Sequence, residues 1–492
     1  MQYVISPTNP FWKSNPMMIH DTSKTKIIAT IGPATESDQK LRELIYAGID
    51  VCRLNFSHGT YDDHQKVIDS IRNANKEMGT HVAILGDLQG PKIRLGNMQN
   101  EATVIHDGDE IKITNRECLS TDKILYVSYP DLPKDIRPGN SILIDDGKIK
   151  LTVLSTDSES EIVAKVIHGG PLHSKKGVNL PDTRISISGL TEKDRKDVAF
   201  ILEHDLDWIA LSFVRKANDI LELKKMIREK DKAAKVIAKI EKPEALKDID
   251  GIIEAADAVM VARGDLGVEV SYDRVPYIQK LIVQKCIHKS TPVIIATQML
   301  ESMMSNFRPT RAEANDVANA VFDCADTVML SGETSVGNYP IESINSMQQI
   351  IDFAEGKEFV HKHEHLPDIG SNTYIPDSVC FNACKMADQS GAKIIIAFVS
   401  AVESAFRLAS NRPQAPICIF TYDWKIIHQL SLVWGVWAFY IDKELGVDNS
   451  FEYSINVLKE KSFLKDGDMV VKVSSLPLFD PEGLNTIKLS CV

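Results

Sequence analysis

No stretch of this chain approaches the roughly 20 consecutive apolar residues that a membrane-spanning helix needs. An excess of positive charge is missing too. The 492 residues carry 56 Lys and Arg against 68 Asp and Glu, a net charge of -12. That balance argues against nucleic acid or an acidic membrane surface as a partner. It leaves room for a local basic pocket that binds a phosphorylated metabolite. Cysteine pairs at metal or redox spacing are absent: there are eight cysteines, no Cys-x-x-Cys, and only Cys380 and Cys384 lie close, at i,i+4. Buried, reduced thiols are expected, and zinc or disulfide chemistry is not. Met1 to Asn15 has no basic region ahead of an apolar core, so a secretory signal is not expected and the cytoplasm is the expected location. There is no low-complexity tract and no short-period repeat. Neither a Gly-x-x-x-x-Gly-Lys-Ser/Thr loop nor a His-Arg-Asp loop occurs, which sets aside two common phosphate-binding folds.

What is present is an alternation of apolar runs with amphipathic helical stretches, the pattern of parallel β/α units. The runs are Thr25–Ile31, Asp50–Phe56, His81–Asp87, Asp207–Phe213, Lys235–Ile240, Ala258–Ala262, Pro292–Thr297 and Thr327–Leu330. Eight is the number that closes a (β/α)8 TIM barrel. Helices are expected over Ser37–Ala47, Tyr61–Met78, Ala217–Lys230 and Asp273–Lys289, where apolar residues recur with a 3.6 period. Residues 21–91 and 181–355 are thus the expected catalytic barrel. Between them, 92–180 is rich in turn pairs such as Asp107-Gly108 and Pro138-Gly139, around short alternating pieces such as Glu110–Thr114 and Glu161–Ile167. These predict an inserted small β-barrel lid domain of antiparallel strands, placed to cover the barrel mouth. Residues 1–20 are an N-terminal extension. After a polar linker at Lys357–Asn372, residues 356–492 form a C-terminal α/β domain of regulatory type, with strands at Lys393–Val399, Pro416–Phe420, Val436–Ile441, Asp468–Val473 and Thr486–Leu489.

Function is expected where the barrel runs end in polar residues. Glu241 and Asp265 lie one β/α unit apart, each closing an apolar strand, and Lys239 precedes Glu241. Either carboxylate alone could be a helix N-cap. Two aimed at one mouth suggest a divalent cation. The other run ends carry Thr30, Arg53, Asn55, Ser57, His58, Asp87, Arg263, Thr297, Ser331 and Glu333, among Gly-rich turns. Cations, metal-type carboxylates and exposed N–H donors together make the inventory of phosphoryl transfer. The basic run Lys224-Lys225 with Arg228 and Lys230 reads as a solvated helix face. Trp434 and Trp437 read as core or subunit interface.

Eight strings in order resemble the pyruvate kinase family: Arg53–Gly59 (RLNFSHG), Lys176–Pro181 (KGVNLP), Lys239–Glu241 (KIE), Val261–Gly267 (VARGDLG), Ala296–Glu301 (ATQMLE), Arg308–Glu313 (RPTRAE), Asp316–Ala320 (DVANA) and Met329–Thr334 (MLSGET). The resemblance covers nearly the whole chain. It implies transfer of the phosphoryl group of phosphoenolpyruvate to ADP, giving pyruvate and ATP. It implies Mg2+ (with Mn2+ as a substitute) on Glu241 and Asp265, and Lys239 neutralising the migrating phosphoryl and the enolate. Gly264, Asp265 and Thr297 would grip the substrate carboxylate, and Arg53 the phosphate. Thr30, Pro33, Asn55, His58 and Lys176 would lie on the nucleotide side. Thr297, Ser331 and Glu333 would organise protonation of the enolate. By the same analogy the chain is a homotetramer.

Two departures from the family pattern carry information. Members that bind an activating K+ tend to read Thr-Lys-Gly-Pro-Glu after the aspartate. Here Asn55, Ser57 and Asp87 are present, but the sequence continues Leu88-Gln89-Gly90-Pro91-Lys92. The expectation is that the Lys92 ammonium replaces K+, so that the K+-site positions Asn55, Ser57, Asp87 and Leu88 work without it. Members activated by fructose 1,6-bisphosphate carry a Ser/Thr- and Gly-rich loop where this chain has Val399–Ser404, with Glu403 and no glycine. No activation by that sugar is expected. Two other classes are compatible with parts of this pattern: a metal-dependent lyase acting on pyruvate-like oxoacids, and a non-catalytic paralogue. The first would not need the lid, and the second should have lost a ligand or Lys239.

Overall fold

A computed structural model describes residues 23–100, 103–186, 189–357, 366–442, 447–480 and 483–492. The N-terminal extension and part of the linker expected at Lys357–Asn372 lie outside the described residues. Eight parallel strands close a barrel: β1 (Lys26–Thr30), β2 (Val51–Asn55), β3 (Ala83–Asp87), β4 (Trp208–Leu211), β5 (Lys235–Ile240), β6 (Ala258–Ala262), β7 (Val293–Ala296) and β8 (Thr327–Leu330). Each strand pairs with its chain neighbours, and β1 closes on β8. β1, β3 and β6 are buried along their whole length. That burial explains why apolar runs rather than alternation marked the strands.

The helices take their ends from local chemistry. Tyr61–Met78 opens on a reciprocal cap between Thr60 and Asp63 and closes at Gly79, whose φ of 67° suits glycine. The same type of cap starts Glu192–Glu203 from Thr191 and Arg311–Phe322 from Thr310. The helix expected over Asp273–Lys289 is Val275–His288, with Pro276 in its first turn and a short 3-10 turn at Tyr272–Arg274 before it.

Between β3 and β4 the chain leaves the barrel to build a six-stranded sheet with its own apolar core, including Ile113, Leu125, Ile142, Leu151 and Ile162. Its pairs are antiparallel apart from Glu110–Thr114 with Ile124–Tyr126, which run parallel. The C-terminal sheet has five strands in the order Val436–Tyr440, Ile417–Thr421, Ile394–Phe398, Met469–Ser474, Thr486–Cys491; the last is an antiparallel edge.

One apolar cluster joins barrel residues Ile28, Leu85, Trp208 and Ile237 to C-terminal residues Ala405, Leu430 and Leu432. Trp208 Nε1 donates to Gln429 O (3.3 Å) and Thr327 Oγ1 to Leu432 O (2.7 Å). Both residues begin strands, so the C-terminal domain packs against the strand starts and leaves the strand ends open. Trp434 is buried in this junction, as core was expected. The cysteines need a correction: six are buried, but Cys118 is partly exposed and Cys491, on the edge strand, is exposed. Of the basic run expected on a solvated face, Lys225, Arg228 and Lys230 are exposed, while Lys224 sits half-buried against Asp257 (2.8 Å).

Candidate active site

Three strands deliver charge to one place. Asp87, the last residue of β3, is buried, and both of its oxygens are taken by cations. Arg53 on β2 donates Nε to Oδ2 (2.7 Å), while Lys239 on β5 donates Nζ to Oδ1 (3.2 Å). Arg53 also donates to Thr30 Oγ1 at the end of β1 (2.9 Å). Lys239 further bonds Ser212 Oγ (2.7 Å) and pairs with Glu241 Oε1 (3.0 Å). The other Glu241 oxygen accepts from Phe213 N–H (2.7 Å). Phe213 has φ of 55°, in the left-handed region, and that turn aims its N–H at the carboxylate.

The charges shape one another. Burial alone would lower Lys239, but Asp87 and Glu241 overcome it and hold the ammonium above its ordinary pKa. Burial works against ionised Asp87 as well; Lys239 and Arg53 outweigh it and bring the carboxyl below its usual range. Glu241 is pushed the other way, first by burial and then by the nearby Asp265, despite Lys239. The direction for Glu241 follows from two acids sharing a desolvated corner, the situation that a bound cation relieves.

Gly264 and Asp265 open the helix Arg263–Glu269 directly after β6. Gly264 N–H donates to Thr297 Oγ1 (2.7 Å), which itself donates to Ala296 O (2.6 Å). Thr297 and Gln298 both have positive φ, 69° and 55°. Arg263 pins this strained pair, donating Nη2 to Thr297 O (2.8 Å) and Gln298 O (3.2 Å), and is anchored by Asp316 (2.7 Å). Asp265 is partly exposed and pairs with Lys92 at 3.7 Å. Glu333 is buried after β8, raised by that burial, and accepts from Ser331 N–H (2.7 Å) and Leu300 N–H (3.1 Å).

Of these groups, Arg263, Gly264, Asp265 and Gln298 line a cleft of ≈ 590 Å³, faced by Lys92 at the domain crossing and by Asp146 of the inserted domain. Among the described residues no cluster of three or more His, Cys, Asp or Glu could hold a metal by itself. Asp265 on the cleft and the buried Glu241 near it nevertheless fit a hard cation that takes its remaining oxygens from substrate and water.

Of the remaining expected site residues, Leu88 is buried within this network, its carbonyl accepting from Ser212 Oγ (2.8 Å). Asn55 Oδ1 accepts from Ser57 N–H (3.0 Å), and Pro33 and His58 are exposed. Lys176 is held on the inserted domain by Asp145 (2.8 Å). Sequence reasoning missed Ser212, Phe213 and Asp316, which position the charged groups. The polar Ser212 at the end of an apolar run was the available signal for the first, and Asp316 opens the string DVANA quoted above; nothing marked the Phe213 N–H.

The chain matches the model of the pyruvate kinase barrel domain over residues 22–344 and that of the pyruvate kinase alpha/beta domain over 377–490. It is 42% identical over 474 residues to a pyruvate kinase of Geobacillus stearothermophilus, covering 95% of this chain and 80% of that one. A pyruvate kinase of Mycobacterium tuberculosis (strain ATCC 25618 / H37Rv) is 40% identical, over 93% of this chain and 96% of the relative. A crystal structure of a pyruvate kinase from Cryptosporidium parvum superposes with a TM-score of 0.89 at 32% identity, covering 98% of this chain and 99% of that one. Among the described residues no helix is long and apolar enough to cross a membrane. With a closed (β/α)8 barrel, a charged mouth at its strand ends and these matches over both regions, the chain belongs to the pyruvate kinase family of phosphotransferases.

Proposed function

We propose that this chain transfers the phosphoryl group of phosphoenolpyruvate to ADP, with Glu241 and Asp265 holding Mg2+ (or Mn2+). The observation that carries the reading is Lys239, buried with its ammonium between Asp87 and Glu241 and held charged by them. A fixed positive charge whose orientation is set before the substrate arrives stabilises developing negative charge without reorganisation. When bound, Mg2+ would neutralise phosphoryl and enolate oxygens as a Lewis acid.

The rest of the work falls to side chains of the chain itself. Arg53, braced by Asp87 and Thr30, presents its guanidinium to the phosphate. A substrate carboxylate replaces Thr297 Oγ1 as acceptor for the Gly264 N–H, with the Asp265 N–H and Thr297 beside it. Lys239, held above its ordinary pKa, is a poor proton donor. The enolate proton therefore comes from the opposite side, where Thr297, Ser331 and the buried Glu333 order water. Thr30, Pro33, Asn55 and His58 from the barrel and Lys176 from the inserted domain take the nucleotide.

Lys92, at the same mouth, supplies the monovalent charge, so turnover proceeds without K+. Glu403 supports the absence of fructose 1,6-bisphosphate activation, since it is paired with barrel Lys235 (2.7 Å) at the start of its helix and would repel phosphate. The enzyme works in the cytoplasm as a homotetramer. A coupled assay for pyruvate, with Mg2+ and K+ varied separately in tetramethylammonium buffer, tests the reading. Mg2+-dependent and K+-independent turnover is expected, and Lys92→Glu should create a K+ requirement. A many-fold drop on omitting K+ from the unaltered enzyme removes the Lys92 assignment; no pyruvate under any condition removes the whole reading.

A further inference from the structure

One buried acid at this end of the barrel has no part in the chemistry above. Glu269 closes the helix that begins with Arg263, Gly264 and Asp265, and it is only 4% exposed. Its Oε1 accepts from Lys242 Nζ and from Asn179 Nδ2, the latter at 2.8 Å. Its Oε2 is buried without a hydrogen-bond partner. A carboxylate so buried needs a reason, because desolvation works against it unless its partners are worth more.

Glu269 and its two partners come from three separate places. Asn179 lies in the short strand Val178–Asn179, which pairs with Ser141–Ile144 and so belongs to the inserted sheet. It stands three residues after Lys176, at the point where the chain returns to the barrel. Lys242 is buried and directly follows Glu241, with its ammonium 5.9 Å from the ring of Phe213, the residue that donates to Glu241. Glu269 itself rides on the Asp265 helix. Both crossings between barrel and inserted domain, Pro91–Ile93 and Gly177–Asn179, meet Lys242 and Phe213 around a cavity of only about 10 Å³.

We infer that Glu269 and Asn179 are positioning residues that form a latch, coupling the orientation of the inserted domain to the two segments that carry Glu241 and Asp265. The inference rests on the reading of those two residues as metal ligands. The Lys242 pair is the fixed half, since separating it would leave two buried charges uncompensated. The Asn179 bond is the movable half, a neutral donor that can be lost at far smaller cost. Metal at the carboxylates and closure of the inserted domain then become reciprocal.

The test uses the full chain with Mn2+ followed by water-proton relaxation and amide exchange followed by mass spectrometry. In the unaltered protein, Mn2+ with phosphoenolpyruvate should slow exchange across residues 141–144 and 176–180. In Asn179→Ala this slowing should shrink at least threefold, Mn2+ affinity measured with phosphoenolpyruvate should weaken by a comparable factor, and KM for ADP should rise about fivefold with kcat within threefold. The Lys242→Met, Glu269→Gln double variant removes the charge pair yet keeps an acceptor for Asn179, and should retain the slowing. Slowing of unaltered size in Asn179→Ala, or none in the unaltered protein, overturns the latch. If Glu241→Gln binds Mn2+ as tightly as the unaltered protein, the metal assignment has failed instead, and the KM-against-kcat split alone then decides the latch.

Discussion

Two clusters of buried charge sit at opposite ends of the barrel. At the strand starts, Asp326 receives Arg412 Nη1 (3.1 Å) on Oδ1 and Nη2 (3.0 Å) on Oδ2, with backbone N–H groups of Trp434 (3.4 Å) and Val293 (2.9 Å) completing the two oxygens. The guanidinium stacks 4.9 Å from the Trp434 ring. Both residues of the pair are nearly inaccessible, and the acid has no capacity left. At the strand ends, Asp87 is equally filled, but Asp265 and Lys92 face the cleft about one-third exposed, and Glu241 is held above its ordinary pKa. A cluster whose acid is fully paired fastens two domains. A cluster that keeps unsatisfied charge toward an opening can act on a ligand. Burial and pairing alone do not separate the two; what each cluster leaves unspent does.

The largest test of this contrast is Lys239→Met. Loss of a fixed charge aimed at developing negative charge should lower kcat by roughly 10³-fold or more, read in the coupled pyruvate assay. Asp326→Asn should do the reverse. It leaves Arg412 buried without its counter-charge, costing about 3–5 kcal/mol of stability in thermal or denaturant unfolding, while kcat of the folded enzyme at 25 °C stays within twofold. If Asp326→Asn abolishes turnover without lowering the melting temperature, the distinction between fastening and acting fails. Glu241→Gln should weaken Mn2+ binding by roughly 10²-fold, in line with losing one of two charged ligands. Because burial and Asp265 disfavour its charged form, the same variant should leave the metal-free melting temperature unchanged or raised.

The smallest expected effect is a pH dependence at the fastening end. His81, whose carbonyl accepts from Ser431 Oγ (2.7 Å), is pushed down to about 4 by burial and by His428. Its folded pKa lies below its unfolded one. Stability is therefore complete above about pH 6.5 and is lost as pH falls toward 4. The melting temperature should drop over that window, and His81→Phe should flatten the drop by a few degrees.

The barrel was legible because a buried parallel strand must be apolar throughout. Lys235–Ile240 and Ala258–Ala262 have the same ends in sequence and in structure. Glu241, Asp265 and Lys239 were legible for the converse reason: charge at the end of such a run is out of place unless something uses it. Phe213 was not, because an aromatic residue gives no hint that its N–H will face a carboxylate. Glu269 was hidden too, as an ordinary helix-terminal acid until Asn179 arrived from 90 residues away.

The sequence by itself determined the eight strands, the residues that end them, the family and the composition of the mouth, because these follow from local burial and from residue order. The tertiary structure alone decided which charge meets which: that Asp87 is neutralised by Arg53 and Lys239, that Lys92 reaches Asp265, and that Asp326 is closed by Arg412. Barrel closure and domain packing bring together groups that are far apart along the chain, and only their separations in space determine which charges cancel and which remain to act.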